Sequence, residues 1–201
     1  MIRAFLFDIG NVLLKFDFSI AWRRIAPLSD VHDPAQVIDR LDSIKGPYEA
    51  GQIDRAAFLR GSFDALGYRG TEAEFVAAFA EIFELNEPMA ALVDQLAAKF
   101  PLYLLSNTND IHHAYFTWQY PVFAHFRGGT FSHVAQASKP GPEIYQIACR
   151  EHGLDPATTF FIDDLLPNIE AARELGFVTH HYHFEQHDAL LTQLRETGLV
   201  D

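Results

Sequence analysis

Three separated stretches of this chain each end an apolar run in a polar cluster. Ala4 to Phe7 runs into Asp8, Leu102 to Leu105 into Ser106-Asn107, and Thr159 to Ile162 into Asp163-Asp164. A carboxylate at the end of a buried strand is costly unless something pairs with it. Between the last two stretches lies Ser138-Lys139-Pro140, a lone lysine in a turn before a helical segment. Three carboxylates, a hydroxyl, an amide and one ammonium suit a phosphate held together with Mg²⁺. Hard oxygen ligands take the metal, and the lysine and hydroxyl take the phosphoryl oxygens. Each residue also has an ordinary reading. Asp8 could cap the next turn, and Ser106 could make a local turn hydrogen bond. Lys139 could be solvated, and Asp163-Asp164 could be an N-cap pair. The recurrence of polar groups at strand ends favours the chemical reading.

The elements that must position these groups follow from hydrophobic spacing. Short apolar runs at Ala4–Phe7, Leu102–Leu105, Thr159–Ile162 and Val178–Tyr182 read as buried strands, with a weaker one at Gly129–Val134. Helical spacing at 88–99, from Asp110, at 142–152, 167–175 and 188–196 separates them, with Gly153 and Gly176 as stops. Alternating strands and helices predict an α/β fold: a Rossmann-like, mostly parallel sheet flanked by helices. In such a sheet, ligands bind beyond the carboxyl ends of the strands, so three polar strand ends far apart in sequence can meet. Residues 15–87 carry no strong strand signal. Their apolar residues recur at helical spacing, with punctuation at Pro34, Pro47, Gly51, Gly67, Gly70 and Pro88, and a capping box at Thr71 and Glu74. This predicts a small helical insert of three to five helices after the first strand. The expected division is 1–14 with 88–201 as core and 15–87 as cap.

Composition narrows the function. With 201 residues, one substantial domain or a core with a small insert is expected. Hydrophobic residues make up 49%, too many for a disordered chain. A net charge of −12 argues against non-specific binding to nucleic acid or an anionic membrane surface. It also requires a local cation or a divalent metal wherever an anionic substrate is to bind. Cys149 is the single cysteine, which excludes an intrachain disulfide and fits a reducing, cytoplasmic setting. Residues 1–7 hold too short an apolar run for a signal peptide, and Asp94 and Lys99 interrupt the best candidate for a membrane span.

Four short motifs resemble, in order, those of the haloacid dehalogenase-like (HAD) hydrolases. They are Phe7-Asp8-Ile9-Gly10-Asn11-Val12-Leu13, Leu104-Leu105-Ser106-Asn107, Ser138-Lys139-Pro140 with Ile144-Tyr145, and Phe161-Ile162-Asp163-Asp164 with Asn168. The insert resembles the family's small helical cap. The opening string is similar to that of a subgroup including sugar phosphatases such as the bacterial α-glucose-1-phosphate phosphatase. The resemblance implies Asp8 as the nucleophile forming an aspartyl phosphate. It implies Ser106 and the backbone N–H of Asn107 as phosphate contacts, and Lys139 as the neutralising cation. Asp8, the Gly10 carbonyl, Asp163 and Asp164 would form the Mg²⁺ site, with Asn168 supporting it.

One position departs from the usual family string. A second aspartate two residues after the nucleophile ordinarily serves as general acid and base; here it is Gly10. Asp17 and Asp110 are candidate replacements by sequence proximity only. The leading expectation is a Mg²⁺-dependent phosphomonoesterase acting on a small phosphorylated metabolite, a sugar phosphate being favoured. Two alternatives stand beside it: a metal-free 2-haloacid dehalogenase using Asp8, and a non-catalytic binding protein. Tyr48-Glu49-Ala50-Gly51-Gln52-Ile53 resembles a recurrent cap stretch that faces the active site, although Glu49 and Gln52 could equally be solvated. His180, His181, His183 and His187 cluster late in the chain. A transition-metal site there is conceivable, and a histidine-rich surface loop is the ordinary reading.

Overall fold

A computed structural model describes residues 1–200, so position 201 of the expected core lies outside it. Five strands form one parallel sheet: β1 (Ala4–Phe7), β4 (Leu102–Ser106), β5 (Phe126–Phe131), β6 (Thr159–Asp163) and β7 (Val178–His181), in the order β5-β4-β1-β6-β7. The strands β2 (Leu14–Phe16) and β3 (Phe83–Leu85) pair separately as a two-stranded antiparallel ribbon. Between β2 and β3 come α1 (Phe18–Ile25), α2 (Pro34–Glu49), α3 (Arg55–Leu66) and α4 (Glu72–Ala80). After β3 follow α5 (Glu87–Ala97), α6 (Asp110–Gln119), α7 (Ser132–Ala135), α8 (Pro142–His152), α9 (Leu166–Glu174) and α10 (His187–Glu196), interleaved with the strands.

The period-two alternation of the strands divides the core into two layers. Phe5, Phe7, Leu102, Leu104, Phe160 and Ile162 pack with α5 and α10 on one face. Leu6, Leu105 and Phe161 pack with α8 and α9 on the other. Both faces are covered, which explains why these strands read as continuous apolar runs. A third cluster joins the helices between β2 and β3. Phe58, Phe75 and Phe79 form its centre, and Ile111 of α6 belongs to it too. Each such fully buried aromatic contributes roughly 1.5–3 kcal/mol relative to exposure.

The sheet and the helices flanking it match the spacing in the sequence, and the capping box at Thr71 and Glu74 is formed. Three local features differ from expectation. The ribbon β2/β3 gives no sequence signal because strands of three residues are too short to show alternation. The fifth-strand region starts earlier, at Phe126, and stops at Phe131, where Ser132 opens a single helical turn. Gly128 and Gly129 hide the strand's pattern, and a Cβ on Gly129 would meet the Leu104 Cβ at 2.8 Å. Finally, Pro47 does not break α2. It sits in the last turn, so only the bond to the carbonyl of Ser43, an exposed residue that water can reach, is lost, and Tyr48 beside it stacks on Phe58 with ring centroids 4.3 Å apart.

Asn86, at the return from the helical insert, ties three segments together. Its amide donates to the Val12 carbonyl at 2.7 Å and to the Tyr182 hydroxyl at 2.9 Å, and its backbone N–H donates to Leu13 O at 2.9 Å. Asn86→Ala should lose about 2 kcal/mol in denaturant unfolding, because it strands buried polar partners; a loss within experimental error would show that water replaces the amide.

Candidate active site

β1 is the central strand, flanked by β4 and β6. Its C-terminal end is therefore the place where the three polar strand ends meet. Lys139, in the loop before α8, reaches into this point and is 5% exposed. Its ammonium carries three protons and has three acceptors. These are Asp8 Oδ1 at 2.8 Å, Asp163 Oδ2 at 2.6 Å and the Leu105 carbonyl at 2.8 Å. Burial alone would neutralise a lysine, but the two carboxylates keep its pKa above the ordinary value.

The carboxylates are not equivalent. Asp163 is fully buried, and both of its oxygens are held by protein. Oδ1 accepts from the Leu165 N–H at 2.8 Å and from the Asn168 amide at 2.9 Å, and Oδ2 accepts from Lys139 and again from Asn168 at 3.1 Å. Asp164 is half-buried and accepts from the Asn11 amide at 3.0 Å. Asn11 reaches it from a left-handed conformation with φ of 52°, which asparagine tolerates. The special backbone of this turn is thus at Asn11 and not at Gly10. At Gly10 the restriction is space, since a Cβ would lie 3.1 Å from the Phe16 ring.

Asp8, Asp163 and Asp164 each offer an oxygen, all within 4.8 Å of one another; among the described residues this is the one such grouping of three. Desolvation, with repulsion from Asp163 and Asp164, raises the Asp8 carboxyl to about 7 despite Lys139. Desolvation also raises Asp164. Carboxylates that resist ionisation together are the donor set that a hard divalent cation satisfies.

Ser106 is 3% exposed at the end of β4 and lines a cavity of about 200 Å³ with Gly10 and Asn107. The Asn107 side chain is committed elsewhere. It accepts from the Lys139 N–H at 2.9 Å and donates to the Lys139 carbonyl at 2.9 Å, clamping the lysine loop. Much of the remaining cavity wall is aromatic, from Phe16, Phe18, Phe83 and Phe116, with the half-buried Lys45 and Glu49 as its charged side chains. His112, also in the wall, is buried and pushed down to about 3 by desolvation, so it is neutral.

The other sequence-stretch expectations divide. Glu49 reaches the cavity, whereas Gln52 lies in a separate depression with Asp110. Asp110 accepts a hydrogen bond from the Tyr48 hydroxyl, and Asp17 N-caps α1 at the surface; neither lines the cavity beside Gly10. The late histidines form no metal cluster. His180 bonds Gln193 at 2.6 Å, His181 the Asp164 carbonyl at 2.9 Å and His187 the Tyr182 hydroxyl at 3.1 Å. Lys45 is a cavity residue that the motifs miss. Its signal is the (i, i+4) spacing to Glu49, which it contacts at 3.4 Å.

A family model described as a haloacid dehalogenase-like hydrolase matches residues 2–176. The chain belongs to this family. Among curated proteins, this HAD-like hydrolase is similar to a D-ribitol-5-phosphate phosphatase of Bacteroides thetaiotaomicron, with 26% identity over 191 residues covering 89% of this chain and 91% of that one. Among solved structures, a HAD family enzyme of the same organism matches with a TM-score of 0.84, 28% identity, and coverage of 95% and 98% of the two chains. That enzyme in complex with magnesium and inorganic phosphate matches at 0.80, with 30% identity and coverage of 90% and 93%.

The raised Asp8 carboxyl fixes the sign of one pH effect. A group whose folded pKa is raised stabilises the fold fully below about 3.8, and that contribution is lost as the pH rises through about 7. In metal-free buffer, Asp8→Asn should therefore gain in Tm relative to wild type across that interval. A divalent cation should restore the wild type most above about pH 7. Parallel Tm curves for the two proteins would show that Asp8 ionises normally.

Proposed function

We propose that this hydrolase is a Mg²⁺-dependent phosphomonoesterase acting on a small phosphorylated polyol or sugar through an aspartyl phosphate on Asp8. The observation that carries this reading is the three-carboxylate grouping gathered around one buried lysine. A dehalogenase would need no metal, and the charge on Asp164 would then stand without a cation. A pure binding protein would have no use for a carboxylate gathered with a buried lysine and a metal-type donor set. The similar phosphatase and the similar magnesium and phosphate complex support the same reading.

The proposed roles are those the family resemblance implies, and the geometry supports them. Asp8 attacks phosphorus, while Lys139 offsets charge on the nucleophile and a phosphoryl oxygen. The Ser106 hydroxyl and the Asn107 N–H hold the transferring group, since the Asn107 side chain is occupied. Asp8, Asp164 and the Gly10 carbonyl would hold Mg²⁺, with Asp163 supporting through Lys139 and Asn168. The metal, when bound, neutralises charge building on the phosphoryl oxygens. Residues 15–87 act as the cap that closes the cavity, and its aromatic wall with one Lys–Glu pair suits a compact hydroxylated substrate. No helix among the described residues is long and apolar enough to cross a membrane, and with the lone cysteine this is compatible with action in the cytoplasm.

A panel of phosphorylated polyols and sugars, assayed with Mg²⁺ and with EDTA, tests the reading. Release of phosphate with Mg²⁺ and its loss in EDTA are expected; metal-independent turnover of 2-halo acids would replace the proposal with the dehalogenase. Asp8→Asn should reduce turnover by at least about 1,000-fold while the fold is kept. Asp164→Ala should raise the Mg²⁺ concentration for half-maximal activity by about tenfold or more, and an unchanged Mg²⁺ dependence would move the metal away from Asp164.

A further inference from the structure

Gly10 leaves the phosphatase reading without a proton carrier. The alkoxide expelled from a primary phosphate ester needs a proton, and the water that later attacks the aspartyl phosphate must lose one. The cavity that contains Gly10, Ser106 and Asn107 has two charged side chains in its wall, Lys45 and Glu49, both from the last turns of α2.

The backbone at Glu49 is pinned to the core. Its carbonyl accepts from the Ser132 hydroxyl at 2.5 Å. Two residues on, Gly51 has φ of 67°, and a Cβ there would lie 2.5 Å from the His133 carbonyl oxygen. The Gly51 carbonyl accepts from the Gln136 amide at 3.2 Å. These contacts fix the backbone from which the Glu49 side chain projects. Lys45 lies 3.4 Å from Glu49 and sits over the Phe18 ring, 5.2 Å from its centroid.

We propose that the Glu49 carboxyl, held over the cavity by Lys45 and the pinned end of α2, carries the protons that a residue at position 10 cannot. This rests on the phosphomonoesterase reading. In the first half-reaction, an Asp8 oxygen forms a bond to phosphorus as the bond from phosphorus to the ester oxygen breaks. The leaving oxygen takes the proton of the Glu49 carboxyl and departs as an alcohol. In the second, the Glu49 carboxylate takes a proton from water as its oxygen bonds to phosphorus and the Asp8–phosphorus bond breaks. Inorganic phosphate, the Asp8 carboxylate and the protonated Glu49 are regenerated. Burial supports the cycle by holding the Glu49 carboxyl above its ordinary pKa; Lys45 and a hydrogen bond from the Asn109 side chain oppose this, and Asp42, on the same helix as Glu49, adds to it.

Glu49→Gln keeps the shape and removes the proton. With Mg²⁺ present, kcat/KM for a primary alkyl phosphate should fall by about 100-fold or more, and for p-nitrophenyl phosphate by less than about tenfold. The aryl ester should also show a burst of nitrophenol, because the second half-reaction slows while the first does not. Adding Gly10→Asp to Glu49→Gln, which requires only a shift of the exposed Phe16 ring, should recover alkyl turnover. Equal losses on both esters, a change in KM alone, or an undiminished alkyl rate would overturn the assignment of Glu49. Absence of phosphatase activity in the wild type on every ester would instead sink the phosphomonoesterase reading, and this inference with it.

Discussion

One ammonium group determines the arrangement of this site. Lys139 brings three protons to a point where the ends of β1, β4 and β6 converge, and each proton meets an oxygen from a different strand region. A buried ion is unfavourable by itself, so the lysine depends on Asp8 and Asp163 as much as they depend on it. This mutual dependence extends outward. Asn107 clamps the peptide of Lys139, and Asn168 with the Leu165 N–H fills the lone pairs that Lys139 leaves open on Asp163. The balance is incomplete by design of the charges: three carboxylates face one lysine, and the surplus is concentrated at Asp8 and Asp164, where a divalent cation fits.

The sheet was legible because its code is local. A run such as Phe160-Phe161-Ile162 is apolar at every position since both faces are covered, and the abrupt change to Asp163 marks the strand's end. The motif side chains come together because each sits at such a boundary. The distribution of tasks among them was not legible. Nothing in Asn107 announces that its amide binds a peptide 32 residues away, and nothing in Asp163 says that its oxygens are saturated while those of Asp164 are not. These are matters of orientation, decided by tertiary packing.

The cap side shows the same limit. Helical periodicity indicated the helices that lie between β2 and β3, yet Lys45 and Glu49 look like an ordinary surface pair in sequence. Their meeting with Gly10 depends on how α2 lies against the loops after β4 and β5. The short ribbon β2/β3 escaped notice because it has no period to read. Asp17 and Asp110 show the converse: nearness along the chain to a motif did not bring them to the cavity.

The helical insert is held to the sheet unequally on its two sides. Along α4 and α6 the seam is apolar, with Ile111 in the insert's own core and His112 stacked on Phe79 at 4.3 Å. At the end of α2 it consists of hydrogen bonds from Ser132 and Gln136 to backbone carbonyls. Water can take over hydrogen bonds as they break, but it cannot replace apolar contact. The molecule is therefore built like a clasp with one sewn edge and one buttoned edge. Parting the insert from the sheet costs least at the buttoned edge, which is the edge that carries Glu49.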